Sequence, residues 1–222
     1  MLSPASPTPR DPTIHVVDDD PAVLDSVTLL LRSHGLQAVP YASARQFLDA
    51  YQPGQIGCLV LDLRMPGMGG LELQQALNEE GIDVPVVFLT GHGDVQQCSR
   101  AFKAGAIDFL TKPIDELALV NAVRRGIQSS IDRHVKLTQT REIEEQLTRL
   151  TRRELEILRY IVDGRSSREI ALILDLSPRT VEAHRANVYS KLEVLTLADL
   201  VRLYLMALSD QRLAERLASG PA

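Results

Sequence analysis

Short apolar runs and amphipathic stretches alternate along the first half of the chain. The runs are Ile14–Val17, Leu36–Val39, Cys58–Leu61, Val84–Leu89 and Ile107–Leu110. Helical spacing of apolar positions falls near Pro21–Ser33, Ala44–Ala50, Leu71–Asn78, Val95–Ala104 and from Asp115 onward. Alternating β and α units of this size predict an α/β domain, a doubly wound five-stranded parallel sheet with helices on both faces.

The remainder reads as helical. Between Asp115 and about Leu147 there is no proline and one glycine, Gly126, so a helix of at most about 50 Å fits at 1.5 Å per residue. Its second half is polar, with sparse apolar positions at Ile131, Val135, Ile143 and Leu147. A short coiled coil and a lone solvated helix both remain open. After Leu150 the pattern predicts four short helices. Thr151-x-x-Glu154 and Ser166-x-x-Glu169 are capping boxes, in which side chains satisfy backbone donors at a helix start. Ser177 precedes a first-turn Pro178, and Thr196 can cap the last helix. Two short helices around the Asp175-Leu176-Ser177 turn form a helix-turn-helix. The expected organisation is a disordered leader at 1–12, an α/β domain at 13–130, a helical linker at 131–146, an all-α four-helix domain at 147–210 and a tail at 211–222. The leader is rich in Pro and Ser and cannot bury enough surface to offset ordering entropy.

Composition narrows the class. The chain has 222 residues, 45% hydrophobic and 24% charged, which is ordinary for a globular protein of two modest domains. No apolar run approaches the roughly 20 residues of a membrane span. Two cysteines, Cys58 and Cys98, point to a reducing, cytoplasmic setting without structural bridges. Cys58 sits inside an apolar strand and reads as packing. The net charge of −5 argues against a nucleic-acid binder until it is divided. Residues 1–130 carry 9 Lys+Arg against 15 Asp+Glu, a net of −6, while 131–222 carry 15 against 14, a net of +1. Within 148–192 the balance is 9 against 6, or +3. An acidic front half and a mildly basic back half imply two jobs.

In doubly wound sheets, ligands bind outside the carboxyl ends of the strands. There the first strand runs into Asp18-Asp19-Asp20 and the third into Asp62. The fourth ends at Thr90-Gly91, and Lys112-Pro113 follows the fifth. Three carboxylates in one crevice repel strongly unless a hard divalent cation compensates. Asp20, before Pro21, reads as a helix N-cap. The segments VVDDD, LVLDLRMPGMGG, VVFLTGHGD and AGAIDFLTKP resemble the signature segments of two-component response-regulator receivers, over about residues 13–130. The resemblance implies a flavodoxin-like receiver in which Asp62 accepts a phosphoryl group from a sensor histidine kinase. Asp19, Asp62 and the backbone carbonyl of Arg64 would hold Mg2+, with Asp18 assisting through water. Thr90 and Lys112 would contact the phosphoryl oxygens, across a cis Lys112-Pro113 bond. Thr90 and Phe109 would form the switch that turns the face of the fourth helical pattern and the fifth strand into a dimer interface. Cys98 lies near that face. Gly69 departs from the usual pattern, which often has an acidic or small polar residue there. The change bears on the loop after Asp62.

The segment LTRRELEILRYIVDGRSSREIALILDLSPRTVEAHRANVYSKL resembles the LuxR-type helix-turn-helix of the NarL and FixJ class. The resemblance makes Pro178–Leu192 a recognition helix. By periodicity, Val181, His184, Val188 and Leu192 share the packed side, with Arg179, Glu182, Ala183, Ala186, Asn187 and Ser190 opposite. Arg179, Arg185 and Lys191 would neutralise phosphates, as would Arg165, Ser166 and Arg168 at the start of the preceding helix, and Thr180 belongs to the same contact set. Base reading would fall on Glu182, Ala183 and Ala186. The expected product is a transcription factor, not an enzyme. It binds promoter DNA as a phosphorylation-induced homodimer, contacts RNA polymerase, commonly activates, and does not touch a membrane. Two rivals share single features. An aspartyl-phosphate phosphatase of haloacid-dehalogenase type would need D-x-D-x-T, where this chain has DDDPA. A quorum-sensing regulator would need a large apolar ligand pocket, and here there is no Trp and only 4% aromatics.

Overall fold

The computed structural model describes residues 12–91 and 105–219. The expected leader up to residue 11, the helical pattern Val95–Ala104 with Cys98, and the last three residues lie outside the described residues. The contact pattern divides the chain into two units, 1–134 and 135–222.

In the first unit the strands are β1 (Thr13–Val17), β2 (Gln37–Tyr41), β3 (Gly57–Asp62), β4 (Val86–Thr90) and β5 (Asp108–Thr111). They form one sheet in the order β2-β1-β3-β4-β5, and every adjacent pair is parallel. β3 and β4 are buried at every position, which is why their sequences read as continuous apolar runs and not as an alternation. Successive side chains still leave on opposite faces. Ile14, Val16 and Val60 join one core, while Val17, Leu59 and Leu61 join the other. The first core is closed by α1 (Pro21–Ser33) and the start of α4 (Glu116–Thr148), the second by α2 (Ala44–Ala50) and α3 (Gly70–Glu79). Asp20 caps α1 by accepting from the Ala22 N–H, ahead of Pro21 at the first helical position, as its placement implied.

Helix α4 lies tight on the sheet because of the single glycine in its first half. A methyl group at Gly126 would collide with the Cys58 sulfur, so the glycine serves close approach at the cost of helix propensity. Cys58 is fully buried there, and burial pushes its thiol up to about 12, which leaves it inert. One turn on, the Ser130 hydroxyl accepts the Gly57 N–H at 3.1 Å, and Arg133 pairs with Asp83.

The second unit contains the end of α4 and five further helices: α5 (Arg152–Val162), α6 (Ser167–Leu174), α7 (Pro178–Lys191), α8 (Leu197–Leu208) and α9 (Gln211–Ser219). Both capping boxes and the Ser177 and Thr196 caps form as their spacing predicts. The expected four-helix domain with a tail needs a correction. Residues 211–219 are a helix whose Leu213 and Leu217 are buried in the same core as Ile143, Leu147 and Leu158. Asp210 starts it, its side chain accepting from the Arg212 and Leu213 N–H groups. Leu213 and Leu217, four apart with Ala214 and Ala218 beside them, give this segment a clear helical periodicity that the reading of it as a tail passed over.

A buried titratable group sits inside the first unit. His15 on β1 is 4% exposed, packed edge-on against Phe47 and Tyr51, with Nδ1 3.1 Å from the Tyr41 hydroxyl. Burial lowers its pKa from 6.5 to about 4. Between those values the unfolded chain binds a proton that the folded chain refuses, so stability falls as the pH drops through that window. The shift is worth about 3 kcal/mol at the acid end. Denaturant unfolding at pH 7 and pH 4.5 should show His15→Phe losing about 2 kcal/mol less stability than wild type, most of that shift. An unchanged pH dependence in the variant would refute the assignment.

Candidate functional site

The sheet order reverses between β1 and β3, and the residues that leave these two strands meet at that point. Asp18 follows β1 and Asp62 ends β3, and both are buried, at 1% and 5% exposure. Lys112, which follows β5, places its ammonium 2.6 Å from Asp18 Oδ2 and 2.6 Å from Asp62 Oδ1. The remaining oxygens are held by backbone. Asp18 Oδ1 accepts the Asp20 N–H at 2.9 Å, and Asp62 Oδ2 accepts the Arg64 N–H at 2.8 Å. Lys112 is itself placed by its N–H, which donates to the Thr90 carbonyl at 2.7 Å, and the following peptide bond to Pro113 is cis. Thr90, the last residue of β4, is buried beside this cluster's strands. Below it, α3 begins at Gly70, where a methyl group would collide with the Asp62 carbonyl. Only glycine lets the helix start so close to the acid.

The electrostatics follow from burial. Loss of water pushes the Asp18 carboxyl up, the neighbouring Asp62 charge adds to that, and the Lys112 and Asp20 donors offset it only in part. Burial also works against the Lys112 charge, yet hydrogen bonds to the two carboxylates outweigh it, and the ammonium is held above its ordinary range. One ammonium between two carboxylates leaves a net negative crevice.

The structure brings together two of the three acids expected to converge. Asp19 is exposed, and no group of three or more His, Cys, Asp or Glu side chains closes into a metal-sized cluster among the described residues. Asp18 and Asp19 follow each other out of an extended strand, so their side chains leave on different sides. Phe109 on β5 is half-buried beside Phe88, with ring centroids 6.2 Å apart.

In the second unit, α6 and α7 are joined by a turn in which Asp175 takes a left-handed conformation (φ 53°) and the Leu176 N–H reaches back to the Ala171 carbonyl. Val181, Val188 and Leu192 are buried and His184 is half-buried, so α7 packs by the face its periodicity predicts. Arg179, Thr180, Glu182, Ala183 and Ala186 are exposed together on the other side, with Arg168 exposed on α6. The remaining candidates are already engaged. Ser166 caps α6 through Glu169, Arg165 lies 3.6 Å from Glu169, and Arg185 donates to the Arg165 carbonyl at 3.4 Å. Lys191 is turned inward and donates to Glu154 Oε2 at 2.6 Å. Sequence reading took Glu154 only as a capping residue. Its partner lies 37 positions away, so no local signal announces the pair.

These two units correspond to two family models. The receiver domain of response regulators matches residues 14–124, and the luxR family of bacterial regulatory proteins matches residues 148–204. A receiver joined to a LuxR-type domain defines a response regulator. The chain belongs to the NarL/FixJ class of that family. It is 43% identical to the transcriptional regulatory protein FixJ of Azorhizobium caulinodans, over 90% of this chain and 94% of that protein. Against the response regulator protein TodT of Pseudomonas putida it is 39% identical, over 87% and 86%. Among solved structures, the response regulator StyR superposes with a TM-score of 0.82 at 42% identity, covering 88% of this chain and 99% of that one. Full-length FixJ from B. japonicum superposes with a TM-score of 0.55 at 35% identity, over 88% and 96%.

Proposed function

We propose that Asp62 is the phosphoacceptor of a two-component pathway and that its phosphorylation promotes dimerisation and sequence-specific DNA binding by the second unit. The observation that carries this reading is the Lys112 ammonium shared by Asp18 and Asp62 at the sheet's switch point. A carboxylate is a weak nucleophile towards phosphorus, so the site must work by positioning and charge neutralisation. The P–N bond of a phosphohistidine breaks as the bond from an Asp62 oxygen to phosphorus forms. Lys112 already faces the oxygen that must lose its negative charge, and Thr90 borders the space the phosphoryl oxygens enter.

The donor set fits Mg2+. It offers hard carboxylate oxygens in a crevice where one ammonium cannot balance two charges, and Mg2+ characteristically takes few protein ligands and keeps its waters. Asp62 and the Arg64 carbonyl would hold it with Asp18 acting through water, and the exposed Asp19 would have to turn toward the crevice to join them. When bound, the ion neutralises charge on the transferring group. Thr90 and Phe109 would relay the new charge to the dimer face.

Beside Lys112 lies a groove of about 310 Å3 lined by Val23, Ser26, Val27, Leu30, Pro113 and Ile114. Its apolar floor next to the reacting acid fits the helix of a histidine kinase. In the second unit, the exposed face of Arg179, Thr180, Glu182, Ala183 and Ala186 enters the major groove, with Arg168 on a phosphate. A surplus of +3 over residues 148–192 makes one copy a weak binder, and two copies on two half-sites supply the missing contacts. The reading makes the chain a transcription factor of the cytoplasm, not an enzyme, that activates through RNA polymerase. The working boundaries are a receiver at 13–130, a linker at 131–146 and a DNA-binding domain from 147, extended through α9.

Two outcomes follow. With Mg2+ and an acyl-phosphate donor, light scattering should show wild type shifting from monomer to dimer while Asp62→Asn stays monomeric. Full dimerisation and DNA binding by Asp62→Asn would refute the mechanism. Ser26→Arg, which fills the groove without touching the acids, should slow phosphotransfer from a histidine kinase roughly tenfold and leave reaction with the small donor unchanged. Equal slowing of both reactions would remove the groove from the kinase contact.

A further inference from the structure

Glu154 is the third residue of α5 and is 3% exposed, yet one of its oxygens, Oε2, collects three donors. The Thr151 N–H and hydroxyl reach it at 2.8 and 2.9 Å, closing the capping box of α5. The Lys191 ammonium reaches it at 2.6 Å from the last turn of α7. Burial opposes the Glu154 charge, but these donors outweigh it and hold the carboxyl below its ordinary range. Nearby, Arg149, just after α4, pairs at 2.6 Å with Glu193, which follows α7 in a left-handed conformation. The far end of α7 is therefore tied at two points to the segment that opens the domain.

We propose that Glu154 and Lys191 are positioning residues for DNA recognition. Their part-buried pair, a half-buried ammonium on a buried carboxylate, sets the angle at which α7 leaves the domain, and Lys191 acts through Glu154 and not as a phosphate contact. The physical case is one of leverage. Val181 and Val188 fix the depth of α7 by apolar packing, which tolerates rotation and sliding, whereas an ammonium on a buried carboxylate oxygen fixes one point of the last turn. Arg179, Glu182 and Ala183 lie in the opposite half of the same helix, and Ala186 lies near its middle. A small swing about the pinned turn displaces them relative to base edges without unfolding anything.

The inference rests on DNA binding by the second unit, and the test separates the two. Full-length wild type, with acyl-phosphate donor and Mg2+, is used to enrich a duplex from a random-sequence pool. If nothing is enriched, DNA binding itself fails before any variant is made. Binding to the enriched duplex and to a scrambled duplex is then measured over a salt series for Lys191→Met, Lys191→Arg, Glu154→Gln and the double variant Glu154→Gln/Lys191→Met. Positioning predicts that Lys191→Met and Glu154→Gln each weaken binding to the enriched duplex roughly tenfold, that the double variant is no worse, and that Lys191→Arg recovers most of the loss. The salt slope on the scrambled duplex stays at the wild-type value. The double variant leaves no unpaired buried ion, so it reports even where a single variant unfolds. The proposal is overturned if Lys191→Met lowers the salt slope by about 0.9 on both duplexes while Glu154→Gln binds like wild type. It is equally overturned if the variants lose thermal stability with no change in the ratio of enriched to scrambled binding.

Discussion

Two buried carboxylates at the carboxyl ends of adjacent parallel strands would drive each other apart or take up protons. In this molecule neither is left alone, because the Lys112 ammonium stands 2.6 Å from both. That contact constrains much of the first unit. It requires β5 to bring Lys112 across the sheet, which the Lys112 N–H to Thr90 carbonyl bond and the turn at Pro113 accomplish. It requires α3 to start hard against Asp62, which Gly70 allows. It also leaves the crevice one positive charge short, the deficit that a divalent cation would make good under the proposed function.

The second unit solves a related problem with the same chemistry and a different result. Glu154 is as buried as Asp62 and also meets a lysine at 2.6 Å, but Thr151 saturates the same oxygen from its own helix. No charge deficit remains there, unlike at Asp18 and Asp62. Stability in both units otherwise comes from apolar faces. In the receiver these are split cleanly by the two-residue period of β1 and β3 between α1 and α4 on one side and α2 and α3 on the other.

Much of this was legible in the chain. Buried strands declare themselves by unbroken apolar runs, and helix starts by Ser, Thr or Asp placed three residues ahead of a glutamate or one ahead of a proline. The acids at the strand ends were legible because topology alone sends those positions to one crevice. What stayed hidden depends on three-dimensional partners. Nothing local distinguishes Asp18 from Asp19, yet one is buried on Lys112 and the other exposed. Lys191 reads as a phosphate contact by composition and turns inward because Glu154 waits 37 residues earlier. The helix at 211–219 differs, since its leucines four apart and its aspartate cap are a local signal that the reading of the segment as a tail passed over. The −5 net charge was misleading for the opposite reason, since it sums −6 over residues 1–130 and +1 over residues 131–222.

The central claim is that the acid on β3 receives the phosphoryl group because Lys112 and a divalent cation neutralise it there. The most direct test is to expose the full-length protein to an acyl-phosphate donor with Mg2+, and again with a chelator, then trap the acyl phosphate and map it by mass spectrometry. The account predicts one phosphoryl group, on Asp62, present only with Mg2+ and lost in Lys112→Met. A phosphoryl group on another residue, or one on Asp62 that forms equally well in the chelator, would contradict it.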